Sequence, residues 1–261
     1  MSAGMMGQRP TVDDITVLIV NYKTLELTRR AIETMLQRYG EVPMLLIDNG
    51  SHDSSTNLVW DMASRHRNIS VVINERNRYH GPAMHQGIAL AQSKYVFTLD
   101  SDCEVVRGGF LEEMLALFAD DRVYAVGELR YKNRFGYTYG YAADTGDEAH
   151  ARPNEKRRIP YSHPYAMLLD RSKYQRLDPF IHHGAPCIKN MRSAKKAGYR
   201  VLHFPVGTFV IHHAEGTSAQ HGYGYRARGR QIIERWLSDV EALILRDPLV
   251  EIRHREDRDG P

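Results

Sequence analysis

The sequence predicts an α/β protein, a mostly parallel sheet with helices on both faces. Short apolar runs rich in β-branched residues recur at 15–20, 44–47, 70–73 and 95–99, segments of helical periodicity separate them, and each run ends in a polar cluster. Strands that read as unbroken apolar runs are covered on both sides, as in parallel sheets.

The first run, Ile15-Thr-Val-Leu-Ile-Val20, reads as such a strand. Thr24 to Tyr39 then places Leu27, Ala31 and Met35 at helical spacing with Arg29, Arg30 and Arg38 between them, the stripe of an amphipathic helix. Met44 to Ile47 is the second strand, and Ser54 or Ser55 caps a helix reaching about Arg65. Ser70 to Ile73 is the third strand, Pro82 to Ala91 the third helix and Tyr95 to Leu99 the fourth strand. The order β-α-β-α-β-α-β implies right-handed crossovers and a ligand crevice beyond the carboxyl ends of the strands.

The polar residues collect at those ends: Asn21-Tyr22, Asp48-Asn49, Asn74 to Gly81, and Asp100-Ser101-Asp102. Each cluster alone is ordinary turn chemistry, but four along one edge define a site. Side chains alternate along a strand, so Asp100 and Asp102 project the same way where strand becomes loop. Two hard oxygen donors with open positions beside them suit Mg²⁺ or Mn²⁺, which completes its shell with water and substrate phosphate.

Composition narrows the classes. The 261 residues are 42% hydrophobic, enough for one large core. No run approaches the roughly 18 to 20 apolar residues of a membrane span, and Met1 to Pro10 lacks an apolar signal core. No transmembrane segment and a cytoplasmic location are therefore expected. Cys103 and Cys187 lack CxxC spacing, which fits a reducing compartment. The net charge of +3 suits an anionic nucleotide ligand but is too weak to argue for a nucleic-acid partner, and none is expected. No GxGxxG follows the first strand, which disfavours a dinucleotide oxidoreductase. A nucleotidyltransferase would carry a Gly-rich phosphate loop where Asn21-Tyr22-Lys23-Thr24 stands.

Taken together, the pieces Val20-Asn21-Tyr22, Asp48-Asn49-Gly50-Ser51-His52-Asp53, Asn77 through Gly81 to Gly87, Leu99-Asp-Ser-Asp102, and Lys195 to Val201 followed by Val210-Ile-His-His213 resemble glycosyltransferase family 2, the nucleotide-sugar-dependent enzymes of GT-A fold. The resemblance covers roughly residues 15 to 218. It implies a GT-A domain over 15–220, divided into a nucleotide-sugar half (15–103) and an acceptor half (104–220), after a flexible N-terminus (1–14). Val20, Asn21 and Tyr22 would line the base pocket, and Asp48 would accept a hydrogen bond from the base, most simply N3–H of uracil. Arg78 would reach the diphosphate, and Gly81 would let backbone approach the donor. Asp100, with Ser101, would sit by the ribose and metal, Asp102 would bind the metal, and His212 would complete its shell. The implied cofactor is Mn²⁺ or Mg²⁺, and the implied partners are a UDP-sugar donor and a hydroxyl acceptor, with inversion at the sugar.

The sequence departs from the family at the acceptor base. The usual Gly-Glu-Asp segment falls on Ala185-Pro186-Cys187, which has no carboxylate. His183 and His182 are the nearest alternative bases, and Asp178 is next. A homologue that binds the donor but has lost transfer is the rival reading.

Arg130 to Pro164 holds Tyr131, Tyr137, Tyr139, Tyr141 and Tyr161 and reads as a long irregular loop where acceptor choice resides. Beyond it, His221 to Tyr225 reads as a lid with Arg226, Arg228 and Arg230 near phosphate. Ile232 to Leu245 is an amphipathic helix for core packing, a homodimer or a membrane surface, and 251–261 is expected to fray.

Overall fold

A computed structural model describes residues 10–132, 138–139, 159–181, 186–213 and 252–253. A single 3-10 turn at Val12–Asp14, within the expected flexible N-terminus, leads into the first strand. The first half runs β1 (Ile15–Asn21), α1 (Leu25–Arg38), β2 (Met44–Asp48), α2 (Ser54–Arg65), β3 (Ile69–Ile73), α3 (His80–Leu90) and β4 (Tyr95–Asp100). The second runs β5 (Cys103–Val105), α4 (Phe110–Ala116), β6 (Val123–Lys132), β7 (Thr138–Tyr139), β8 (Ile159–Asp170), α5 (Arg171–Tyr174), α6 (Ile188–Lys196), β9 (Arg200–His203), β10 (Val210–His212) and β11 (Ile252–Arg253).

One nine-stranded sheet carries the chain in the order β11-β3-β2-β1-β4-β8-β6-β7, with β9 beside β6. Strands β1 to β4 pair in parallel, β8 runs against β4 and β6, and β9 is parallel to β6. The chain moves outward from β1 to β3 and returns on the other side of β1 as β4. The carboxyl ends of β1 and β4 thus flank the topological switch point, where ligands bind in sheets of this kind.

The continuous apolar runs are explained by burial on both faces. Val17 and Ile19 of β1 join the core formed by Ala31, Ile32 and Met35 of α1 and Val59 and Met62 of α2. Leu18 turns the other way, into the core with Ala83, Met84 and Ile88 of α3 and Met191 and Ala194 of α6. Each fully buried aliphatic side chain contributes about 1.5–3 kcal/mol. The two faces fix strand register, since a one-residue slip would exchange these cores.

Three expectations need correction. Helix α3 begins at His80, not Pro82, because Tyr79 takes a positive φ and turns the chain into the helix early. The stretch 130–164 is not irregular at its ends: β6 extends to Lys132 and β8 begins at Ile159, paired antiparallel. Ile252–Arg253, expected to fray, pairs with Val71–Val72 along the edge of β3. The expected lid at 221–225 and helix at 232–245 lie outside the described residues.

Candidate active site

The sheet register sets the ends of three strands level: Asn21 of β1 lies beside Asp48 of β2, and Val20 beside Asp100 of β4. Asn21, 1% exposed, ties this edge together. Its Nδ2 donates to Asp48 Oδ1 (2.7 Å), Ser55 Oγ (2.9 Å) and Ser51 Oγ (3.1 Å), while its Oδ1 accepts from Thr28 Oγ1 (2.8 Å) and Thr24 Oγ1 (3.2 Å). Asp48 is fully buried. Its Oδ1 also accepts a short hydrogen bond from Ser51 Oγ, and its Oδ2 accepts from Thr56 Oγ1 (2.8 Å) and Ser51 N (3.3 Å). Such saturation satisfies the hydrogen-bonding capacity of a buried carboxylate without open water. In this arrangement Asp48 also fixes the turn into α2.

That turn needs Gly50, whose φ is +75° and whose Cβ, if present, would lie 2.5 Å from the Arg76 carbonyl carbon. The β2–α2 and β3–α3 connections are therefore in backbone contact. Asn49 Oδ1 accepts from Arg78 N (3.0 Å), and Asn49 Nδ2 donates to Asn77 Oδ1 (3.0 Å). Arg78 is 8% exposed, and Gly81 lies buried in the first turn of α3. Val20 and Tyr22 are half-buried at the end of β1, with the Lys23 ammonium 5.5 Å from the centre of the Tyr22 ring.

Asp100 and Asp102 each face a histidine. His80, the first residue of α3, places Nε2 3.3 Å from Asp100 Oδ1. His212 comes from β10, which pairs antiparallel with β5, and its Nε2 stands 3.3 Å from Asp102 Oδ1. His213 turns away to Glu104 at 3.0 Å. Between the carboxylates, Ser101 Oγ accepts from Thr24 Oγ1 (3.2 Å), linking the pair to the start of α1. Burial works to raise the Asp100 carboxyl, but the charge and hydrogen bond of His80 and the charges of His163 and His212 outweigh it and hold it below its ordinary range.

A cation fits this donor set. Two ligands about 2.1 Å from an octahedral ion and at right angles lie about 3 Å apart. The Asp102–His212 separation of 3.3 Å is close to that spacing. Cys103 Sγ belongs to the same cluster, in which the ligand atoms lie within 4.8 Å of one another. Its thiol is buried and pushed well up by desolvation and by Asp100 and Asp102, and it donates to Tyr165 O at 3.7 Å. A carboxylate and an imidazole at this spacing suit a divalent ion.

Four further residues surround His212 that the sequence did not single out. Tyr165 stacks on the His212 ring, with centroids 4.9 Å apart and planes at 9°, and its hydroxyl donates a short hydrogen bond to Glu128. Glu128 also accepts from Arg130 Nε at 2.9 Å. His163 lies 6.0 Å from His212, its pKa lowered to about 4 by burial first and by Arg130 next. These groups come from β6 and β8, whose partners in the site are distant in sequence. The signal available was Ser162-His-Pro-Tyr165 within an otherwise apolar strand.

His182 and His183 lie outside the described residues. Of the acceptor-base candidates, Asp178 has a carboxylate, 40% exposed, that faces Lys189 at 3.7 Å, and its backbone joins Ser193 Oγ (3.1 Å) and Asn190 Nδ2 (2.7 Å) of α6. Cys187, where a carboxylate was sought, is fully buried and donates to Ser162 O at 3.2 Å. Among the described residues no helix is long and apolar enough to cross a membrane.

A doubly wound sheet with a carboxylate pair at its switch point and a histidine returning on a separate ribbon defines the GT-A type of fold. The family described as "Glycosyl transferase family 2" matches residues 16–178, more than half of the chain, and the chain belongs to that family. Among curated relatives, the succinoglycan biosynthesis protein ExoO of Rhizobium meliloti is 31% identical over 105 residues, 40% of this chain and 29% of that protein. The poly-beta-1,6-N-acetyl-D-glucosamine synthase of Staphylococcus epidermidis is 29% identical over 97 residues, 37% of this chain and 23% of that protein. The match thus spans less than a third of each of these relatives. Among solved structures, the mannosyltransferase PcManGT from Pyrobaculum calidifontis, in complex with GDP-Man and Mn²⁺, superposes with a TM-score of 0.55 at 16% identity, covering 74% of this chain and 55% of that one. S. aureus TarS 1-349 superposes with a TM-score of 0.53 at 13% identity, covering 75% and 59%. At these identities the likeness establishes the fold alone.

Proposed function

We propose that the protein is a metal-dependent glycosyltransferase that moves a sugar from a nucleoside diphosphate, UDP by preference, to a hydroxyl acceptor. The observation that carries this is the pairing of Asp102 with His212 beside Asp100 at the switch point of a family 2 sheet. The complex of the structural neighbour with GDP-Man and Mn²⁺ supports a divalent ion and a nucleotide donor at such an edge.

In this reading Asp100, Asp102 and His212 hold Mn²⁺ or Mg²⁺. When bound, the ion supplies Lewis acidity that offsets the negative charge developing on the leaving diphosphate. Asn21 and Asp48 keep the ends of β1 and β2 level, so Val20 and Tyr22 stand as walls of a nucleotide pocket. Arg78 adds a fixed cation on the diphosphate side, where a planar guanidinium reads phosphate in a forked geometry. Inversion requires a base for the acceptor hydroxyl, and His183 or His182 takes this role because no carboxylate begins α6. Tyr161 is buried in the core, so the other tyrosines of the 130–164 segment are the ones that contact the acceptor.

The test is release of nucleoside diphosphate from UDP- and GDP-sugars with Mn²⁺ present or chelated, in the unaltered protein and in Asp102→Ala and His183→Ala. The reading expects turnover that requires the metal, falls by orders of magnitude in Asp102→Ala, and favours UDP-sugars. Metal-independent turnover would overturn the assignment of the carboxylates, and undiminished turnover in His183→Ala would remove that histidine as the base.

A further inference from the structure

Backbone strain in this protein is concentrated on the proposed donor edge. Among the described residues, the non-glycine residues with positive φ are Lys23 (57°), His52 (53°) and Tyr79 (65°), one each in the loops after β1, β2 and β3. Tyr79 is the extreme case. At φ 65° and ψ 166° it occupies a region of backbone space that is essentially reserved for glycine. The conformation is held from several sides: Tyr79 N donates to Asn77 Oδ1 (2.7 Å), and Tyr79 O accepts from Ala83 N (3.1 Å) and Asn49 Nδ2 (3.4 Å). Glycine would satisfy the same bonds without the strain.

What the tyrosine adds is therefore its ring. That ring is 36% exposed, among the most exposed large apolar side chains described. Its chain neighbours fix where it stands. Arg78 on one side is bonded to Asn49 at the end of β2, and His80 on the other reaches Asp100 at 3.3 Å. Residue 79 thus stands in the chain between a residue tied to the β2 end, where a base pocket is expected, and one tied to the carboxylate pair. An exposed aromatic face at such a place stacks on a planar heterocycle.

Resting on the donor-site reading above, we propose that Tyr79 is a binding residue whose ring stacks on the nucleobase of the donor, the strained backbone being retained because only a side chain at this position supplies that face. The ligand class is a nucleoside diphosphate and its sugar ester, and the recognised part is the base.

The test compares the unaltered protein with Tyr79→Gly and Tyr79→Phe by thermal melting and by calorimetric titration of UDP, GDP and inorganic pyrophosphate in Mn²⁺. Tyr79→Gly is expected to melt about 2–4 °C higher as strain is relieved. It should bind UDP or GDP about tenfold more weakly while binding pyrophosphate unchanged. Tyr79→Phe should keep both the affinity and the melting temperature of the parent. Full nucleotide affinity in Tyr79→Gly, or an equal loss for pyrophosphate, would overturn the proposal alone. Failure of the unaltered protein to bind any nucleotide would overturn it together with the donor site.

Discussion

His212 Nε2 lies 3.3 Å from Asp102 Oδ1, although Asp102 sits in the turn just before β5 and His212 ends β10, the antiparallel partner of β5. The imidazole is backed by the Tyr165 ring, stacked at 4.9 Å, and Tyr165 is itself held by Glu128. Removing the ring should let His212 rotate away. Tyr165→Leu is expected to weaken Mn²⁺ binding about tenfold, with Tyr165→Phe close to the parent. Electron paramagnetic resonance of free Mn²⁺ measures this directly, and equal affinities in all three proteins would contradict it.

The edge formed by Asn21 and Asp48 should be costly to disturb. Asn21→Ala removes a donor from a fully buried carboxylate and leaves four hydroxyl partners to repair. A loss of about 2–4 kcal/mol is expected in urea unfolding. A loss below about 0.5 kcal/mol, the range of an ordinary surface substitution, would mean that the network carries no stability.

Gly50→Ala should act through the backbone. With φ at +75° and Arg76 backbone 2.5 Å from the added carbon, both conformation and space oppose the methyl group. The expected cost is about 1–3 kcal/mol, together with weaker nucleotide binding, because the displaced segment leads into Arg78 and Tyr79. Unfolding and titration of the same sample report both effects.

Acid sensitivity has an identifiable source in a buried carboxylate away from the site. Asp170 caps α5, accepting from Lys173 N (3.0 Å), Ser172 Oγ (2.6 Å) and Lys173 Nζ (2.8 Å). Burial works to raise its carboxyl, but these bonds and the Lys173 charge hold it below the ordinary 3.8. A carboxyl depressed in the folded state contributes stability that is present above its unfolded value and is lost as pH falls through the folded one. In Asp170→Asn, stability at pH 7 should drop and the further loss below pH 4 should become shallower. Parallel curves for the two proteins would exclude this source.

Much of the fold was legible because periodicity and burial agree. The runs at 15–20, 44–47, 70–73 and 95–99 became β1 to β4 with boundaries within two residues, since strands buried on both faces admit few polar residues. The Asp100/Asp102 pair was legible for a related reason: two carboxylates stand against the apolar run Tyr95 to Leu99. The start of α3 was misread because it depends on a tyrosine in a glycine conformation, which no propensity anticipates. Tyr165, Glu128 and Arg130 escaped notice because their role arises from the pairing of β6 with β8, and residues 30 to 40 apart in sequence carry no local mark of stacking behind a histidine. The partners of Asp48 were equally hidden: its bonds to Asn21, Ser51 and Thr56 arise from the pairing of β1 with β2 and from the turn into α2.

The most direct test of the central claim, a divalent-metal nucleotide site built on Asp100, Asp102 and His212, is calorimetric titration of UDP and GDP into the protein with and without Mn²⁺, repeated on Asp102→Ala. The account predicts binding that requires Mn²⁺ and disappears in the folded variant, with UDP the tighter ligand. Nucleotide binding that is indifferent to Mn²⁺ and survives Asp102→Ala would contradict it.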